Sequence, residues 1–349
     1  MIIDAHAHVL PADYPQDAPS CFPSMHAVDG STDRMLEFGP MRFRARDAFF
    51  AAERRLEEQD ASDVTAEVIS PMPPLLRYDL PDQDGLTLAR HVNEFTAGMC
   101  SVDPGRLFGL GMVPMQSPDA ATAELRAIRD LGLAGVEIAS NVLGESIGHE
   151  RFLDFFREAE RLGLSVFVHA MPSPMSRLPA SAMGTYVVGV EGMFAAGSMA
   201  LGGTAAACPD LRISFSHAAG GFAMMLPRAQ YFWGGAWNEG PVDPERAVMH
   251  DDGPSPLEIA RRFYYDSMVF DHRAIRYLID LLGADRLLVG SDFPAMLREE
   301  PVARTLREMD LPVEDWEAIA SRNALRWLGR DGDPDLRAGA VAASPATLP

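Results

Sequence analysis

The strongest constraint on this chain is a rhythm in which short β-rich runs alternate with helical stretches. The runs lie at 2–9, 64–72, 107–114, 135–141, 165–170, 212–218, 263–268 and 287–294. Between them, 118–131 carries apolar residues at Ala121, Leu125, Ile128 and Leu131, the spacing of an amphipathic helix. Segments 150–162 and 271–282 repeat that spacing. Gly132, Gly163 and Gly283 stand just past these three segments, where a left-handed cap residue belongs. Parallel neighbours need a crossover, and a run of strand–helix crossovers closes into a barrel. The expected fold is therefore α/β, a distorted (β/α)8 barrel of the TIM type.

One barrel is expected over 1–330, with insertions at about 11–50 and 172–209. The second insertion contains 184–201, which reads as largely helical. Loops that follow strands stand over the active-site face of such a barrel, so both insertions are placed to cover a pocket. The tail at 331–349, made largely of Ala, Gly, Pro and Asp, is expected to be disordered.

Composition excludes several classes of function. A net charge of −20 repels nucleic acid and anionic lipid, so neither is an expected partner. The same field repels an anionic substrate, which would need local arginines to hold it. All 30 basic residues are arginine. Schiff-base chemistry is thereby excluded, as is a pair of metals bridged by a carboxylated lysine. Cys21, Cys100 and Cys208 have no paired spacing, which argues against disulfides or a thiolate metal site. No apolar run reaches the roughly 18 residues of a membrane span, and no basic region precedes the first apolar residues. A cytoplasmic protein is the expectation.

Chemistry concentrates at strand ends. His6 and His8 lie two apart on the first run, so both project to one face, and two imidazoles side by side form half a zinc site. His169 ends the fifth run, His217 the sixth and Asp292 the eighth. Polar residues at the same end of different strands converge on one face of a barrel. Imidazole and carboxylate ligands suit a single divalent metal, with zinc favoured and manganese admitted. Four protein ligands and a water would make it five-coordinate. Glu137, four residues before the end of the fourth run, is the carboxylate able to bridge a second metal. His26, His91, His149, His250 and His272 fall on loops or helices and read as surface or packing residues.

These residues resemble the amidohydrolase-related family of metal-dependent decarboxylases and hydrolases typified by aminocarboxymuconate semialdehyde decarboxylase. The resemblance spans about 1–329. It rests on Ile3-Asp4-Ala5-His6-Ala7-His8, Phe215-Ser216-His217-Ala218-Ala219-Gly220-Gly221, Asp266-Ser267, Gly290-Ser291-Asp292-Phe293-Pro294 and Arg322-Asn323-Ala324. It implies metal ligands at His6, His8, His169 and Asp292, and a catalytic histidine beside the metal's water at His217. It further implies two arginines on substrate carboxylates. One is Arg228, eleven residues after His217 and reaching the neighbouring subunit of a homodimer. The other lies in the first insertion, where Arg44 matches best and Arg42 and Arg46 are alternatives. Ala170-Met171 replaces the family's frequent Pro-Trp, and Ala218 and Ala219 interrupt its glycine run, so the pocket floor differs.

The resemblance implies decarboxylation of a small aromatic or muconate-type carboxylic acid, with His217 as acid and base and Asp292 beside it. The same machinery serves hydrolysis of a cyclic amide, lactone or C–C bond, or hydration. A barrel that kept its metal only as a structural plug is a further alternative.

Overall fold

The computed structural model describes residues 1–15, 18–19, 21–39, 41–173, 178–233 and 253–331. Eight parallel strands form one sheet: β1 Ile3–Val9, β2 Ala66–Pro71, β3 Leu107–Met112, β4 Gly135–Ala139, β5 Ser165–His169, β6 Ile213–Phe215, β7 Tyr264–Asp266 and β8 Leu287–Leu288. Their spatial order follows the chain order. The segment after β8 returns to β1 through Ala5 N to Val289 O at 2.8 Å and His8 N to Phe293 O at 2.7 Å. The sheet thus closes nearly completely, and the fold is the distorted TIM barrel expected from the alternation.

The main outer helices are α1 Ala52–Ala61, α2 Asp82–Val102, α3 Pro118–Asp130, α4 Leu153–Leu162, α5 Val188–Leu201, α6 Phe222–Trp233, α7 His272–Leu282 and α8 Asn323–Trp327. Most present an apolar face to the strands, whereas α1 buries Arg55 and Gln59. In α3 this face is Ala121, Leu125 and Ile128, all fully buried, whereas Leu131 follows the helix and is 39% exposed. Asp271 starts α7 by accepting from the backbone N–H groups of Arg273 and Ala274, satisfying two donors the helix leaves free. Gly163 ends α4 in the left-handed conformation. Gly283 caps α7 through its N–H to the Ile279 carbonyl at 2.9 Å, but at φ 108° and ψ 142° it is not left-handed helical and leads directly toward β8.

The barrel interior is filled from below. Ile3, Ala5, Val68, Phe108, Leu110 and Phe167 pack with Trp327 of α8, which is fully buried and closes the N-terminal end. Truncating such an anchor to alanine costs about 3–5 kcal/mol. The pairing of β1 with β2 shifts register between Asp4 and Ala7. Beyond that irregularity His6 stands directly on the floor, its ring 4.9 Å from that of Phe167.

The first insertion folds into a three-stranded antiparallel sheet of Ser24–Ala27, Arg34–Phe38 and Met41–Ala45. The second supplies α5, in the part of the chain where helix was expected. Residues 332–349, nearly all of the tail expected to be disordered, lie outside the described residues. Among the described residues no helix is long and apolar enough to cross a membrane, and all three cysteines are free.

Two expected strands end at least three residues early. The sixth was expected to run to 218, but β6 stops at Phe215 and Ser216–Ala219 forms a tight turn. His217, Ala218 and Ala219 take φ of 51°, 53° and 55°, a left-handed path that cannot continue a strand. Of the expected eighth strand only Leu287–Leu288 forms a ladder with β7; beyond it Val289 and Phe293 bond to β1, with Asp292 at φ 58° between them.

Candidate metal centre and active site

Four side chains meet at the C-terminal mouth of the barrel. His6 and His8 come from β1, His169 from the end of β5, and Asp292 from the turn after β8. One ligand atom from each lies within 4.8 Å of the other three. The histidines are buried, and Asp292 is the most open of the four at 16% side-chain exposure. The carboxylate therefore marks the direction from which solvent and substrate approach.

Hydrogen bonding fixes which ring nitrogen faces inward. His6 Nδ1 meets the Asp266 carboxylate at 2.7 Å, His8 Nδ1 the Pro71 carbonyl at 3.2 Å, and His169 Nδ1 the Ala170 carbonyl at 3.2 Å. Each of these partners is an acceptor, so each Nδ1 carries the proton and, in the neutral ring, each Nε2 is left with a lone pair. The Nε2 atoms of His6 and His8 face each other at 3.1 Å, and His8 Nε2 lies 3.0 Å from Asp292 Oδ1. His169 Nε2 is buried with no hydrogen-bond partner among the described residues. With all three rings neutral, three lone pairs and a carboxylate converge with no donor between them, which is repulsive unless a metal ion, or a proton on His6, lies among them. Two nitrogens on one zinc at about 2.0–2.1 Å and tetrahedral angles stand roughly 3.3 Å apart. The donor set and its spacing fit one divalent metal.

The electrostatics agree. Burial opposes protonation of His6, yet its hydrogen bond to Asp266 and the charge of Asp292 outweigh burial and push it up to about 9. Burial pushes His8 down and His169 well down. Burial also works against the Asp292 carboxylate, but His8 and His6 hold it far below the usual range. The cluster attracts positive charge while keeping two of its rings neutral, the form in which imidazole ligates. Glu137 stands apart from the four, 3.7 Å from His8 Nδ1, and burial pushes it up to about 8.

His217 lies beside the ligands, its ring centroid 5.3 Å from that of His169 and 5.4 Å from that of His6. Burial pushes its pKa down. The left-handed turn that carries it is held by Asp266, which accepts from His217 N at 2.9 Å and Ala218 N at 3.0 Å. Gly220 completes the turn at φ 55° and ψ −122°; a Cβ there would fall 1.9 Å from the Gly189 carbonyl of α5. Only glycine fits that close approach.

Asp266 was given no role on sequence grounds. Its signal was the one shared by His169 and Asp292, a polar residue closing an apolar strand, here Tyr264-Tyr265-Asp266. The arginines stand differently. Arg44 is exposed, donating to Asp33 Oδ2 at 2.6 Å and Ser31 Oγ at 2.8 Å. Arg42 pairs with Glu37, and Arg46 donates to Glu58 while its guanidinium lies 5.4 Å from the Phe293 ring. Arg228 is exposed on α6, over the ring of its own Phe232 at 4.7 Å. Neither Arg44 nor Arg228 makes a hydrogen bond or ion pair with the cluster. His26, His149 and His272 are exposed, His91 is half-buried with its Nε2 2.9 Å from the Asp13 carbonyl, and His250 lies outside the described residues.

Comparison with known proteins agrees with this geometry. Residues 3–330 match the amidohydrolase family. The chain is 30% identical to 2-amino-3-carboxymuconate-6-semialdehyde decarboxylase of Dictyostelium discoideum, over 94% of this chain and 92% of that protein. It is 27% identical to the gamma-resorcylate decarboxylase of Rhizobium radiobacter, over 69% of this chain and 76% of that protein. Among solved structures, the 5-carboxyvanillate decarboxylase of Sphingomonas paucimobilis superposes with a TM-score of 0.69 at 26% identity, covering 79% of this chain and 82% of that one. With the barrel and the strand-end cluster in place, these matches show that the chain belongs to the amidohydrolase family, in its decarboxylase branch.

Proposed function

We propose that this enzyme removes CO2 from a small aromatic or muconate-type carboxylic acid, using one divalent metal held by His6, His8, His169 and Asp292. The observation that carries the reading is the acceptor-only convergence of three imidazole Nε2 atoms and one carboxylate, with His217 beside them. Named relatives that act as decarboxylases support the reaction type. A bound divalent cation supplies Lewis acidity and stabilises the negative charge that develops as the C–C bond breaks. Zinc is the favoured ion for a borderline-soft set of three imidazoles, and manganese suits the same donors.

The chain's own residues do the rest. His217, kept neutral by burial, takes a proton from solvent water at its ring nitrogen and delivers it to the carbon that loses CO2, where it bonds to the electron pair left by the broken C–C bond. Asp292, the opening edge of the cluster, lies beside that exchange. Phe167 and the floor beneath exclude water from below. Arg44, releasing Asp33, binds a substrate carboxylate through its planar fork. Arg228 serves a second copy of the chain in a homodimer. With its free thiols and acidic surface, the enzyme suits a reducing cytoplasm.

The test is CO2 release from a panel of hydroxybenzoic and muconate-type acids by metal-loaded enzyme. At least one acid is expected to lose CO2. Cleavage of a lactone or cyclic amide with no CO2 from any acid would instead make the enzyme a hydrolase.

A further inference from the structure

Outside the barrel wall, behind the metal ligands, lies a quartet of buried charges. Arg55 of α1 donates to Glu67 Oε2 at 2.6 Å and to the carbonyl of His8. Arg298, in the segment after β8, donates to Asp4 Oδ2 at 3.2 Å and to Glu67. Asp4 and Glu67 face each other across the β1–β2 pairing. Asp4, Glu67 and Arg55 are fully buried, and the Arg298 side chain is only 7% exposed. Two carboxylates against two guanidiniums leave no net charge, the condition under which such a group survives burial.

The quartet grips both neighbours of Asp292. Ser291 donates its hydroxyl to Asp4 Oδ2, the oxygen that Arg298 also holds. The Arg298 guanidinium lies 3.8 Å from the centroid of the Phe293 ring. Between these two anchored residues, Asp292 adopts φ 58°, a left-handed conformation that a residue with a Cβ does not hold unaided. Its N–H is fixed to the His6 carbonyl at 2.8 Å. Arg55 secures the carbonyl of His8, so the same lattice reaches a second ligand.

We propose that Arg298 is a positioning residue for the metal centre: by clamping Ser291 through Asp4 and Phe293 by stacking, it holds Asp292 in its strained turn with the carboxylate aimed at the histidines. The inference rests on the metal reading above. Groups that orient a metal ligand without touching the ion commonly contribute 10–100-fold to affinity. A lysine at 298 keeps the charge but loses the fork and the flat stacking surface.

Metal-free wild type, Arg298→Lys and the charge-balanced double variant Asp4→Asn/Arg298→Gln would be titrated with Co2+, following both affinity and the visible absorption of the bound ion. The double variant answers the question should lysine prevent folding. The expected result is at least about tenfold weaker Co2+ binding and an altered absorption band, both read at a temperature where each metal-free variant is fully folded. Wild-type affinity and spectrum in a folded variant would overturn the proposal and leave the quartet a structural fastener. Failure of the wild-type protein itself to bind Co2+ would instead overturn the metal reading, and this proposal with it.

Discussion

Asp266 Oδ2 accepts from the Nδ1 of His6 at 2.7 Å, and the same carboxylate receives the backbone N–H groups of His217 and Ala218. One side chain at the end of β7 therefore sets the tautomer of a proposed metal ligand and the turn that carries the proposed acid–base group. Burial alone would push Asp266 up, but the hydrogen bond from His6 and the charge of His6 keep it below the usual carboxylate range. It remains an acceptor for all of these donors.

Asp266→Asn removes that charge and offers a donor where acceptors are required. Metal affinity should fall by about 10–100-fold, and kcat should fall even at saturating metal because the His217 turn is loosened. Metal titration and steady-state kinetics on the same preparation separate the two losses. Unchanged values in both would reduce Asp266 to a structural residue.

His217→Ala leaves all four ligands in place. It should retain one metal per chain and lose roughly 10²–10⁴ of kcat. Arg228→Ala should raise KM. If Arg228 serves the neighbouring subunit, mixing the two impaired chains rebuilds one complete site in each heterodimer and gives about a quarter of wild-type activity at a substrate concentration too low for the Arg228→Ala chain alone, the share set by random pairing. Absence of recovery in verified heterodimers would place each site within a single chain.

Glu67 gives the fold a pH dependence. Burial pushes its carboxyl up, but the guanidiniums of Arg55 and Arg298 outweigh burial and hold it below its ordinary value of 4.5. A folded pKa below the unfolded one means that its contribution is fully present above about pH 4.5 and is lost as pH falls through the folded value. The gap in melting temperature between wild type and Glu67→Gln should be constant from pH 5 to 7 and shrink below about pH 4.5. A gap as wide at pH 3.5 as at pH 7 would contradict this account of the quartet.

Much of this architecture was legible before any coordinates. The alternation of runs points to a barrel, and that His6, His8, His169 and Asp292 meet at one end of it was readable because each closes or lines an apolar strand. What was not legible depends on backbone conformation and long-range pairing. The left-handed path at 217–219 leaves no composition mark, since two of its three residues are alanines. Asp266 stands out in the sequence only as part of the Asp266-Ser267 motif, and its role follows from partners 49 and 260 residues away. Arg298 lies in an ordinary charged stretch, and only the fold brings it against Asp4 and Glu67. Arg44 and Arg228 pose the opposite case. Their spacing and family likeness point to a substrate, whereas within one chain they rest on Asp33 and Phe232, so their role depends on a ligand and a second copy.

The central claim is that one divalent cation lies among three imidazoles and a carboxylate. A crystal of the metal-loaded protein, measured at the zinc and manganese absorption edges, tests it directly. The account predicts one anomalous peak per chain, about 2.0–2.2 Å from Nε2 of His6, His8 and His169 and from an oxygen of Asp292. No peak there, or a peak bound by other residues, would contradict it.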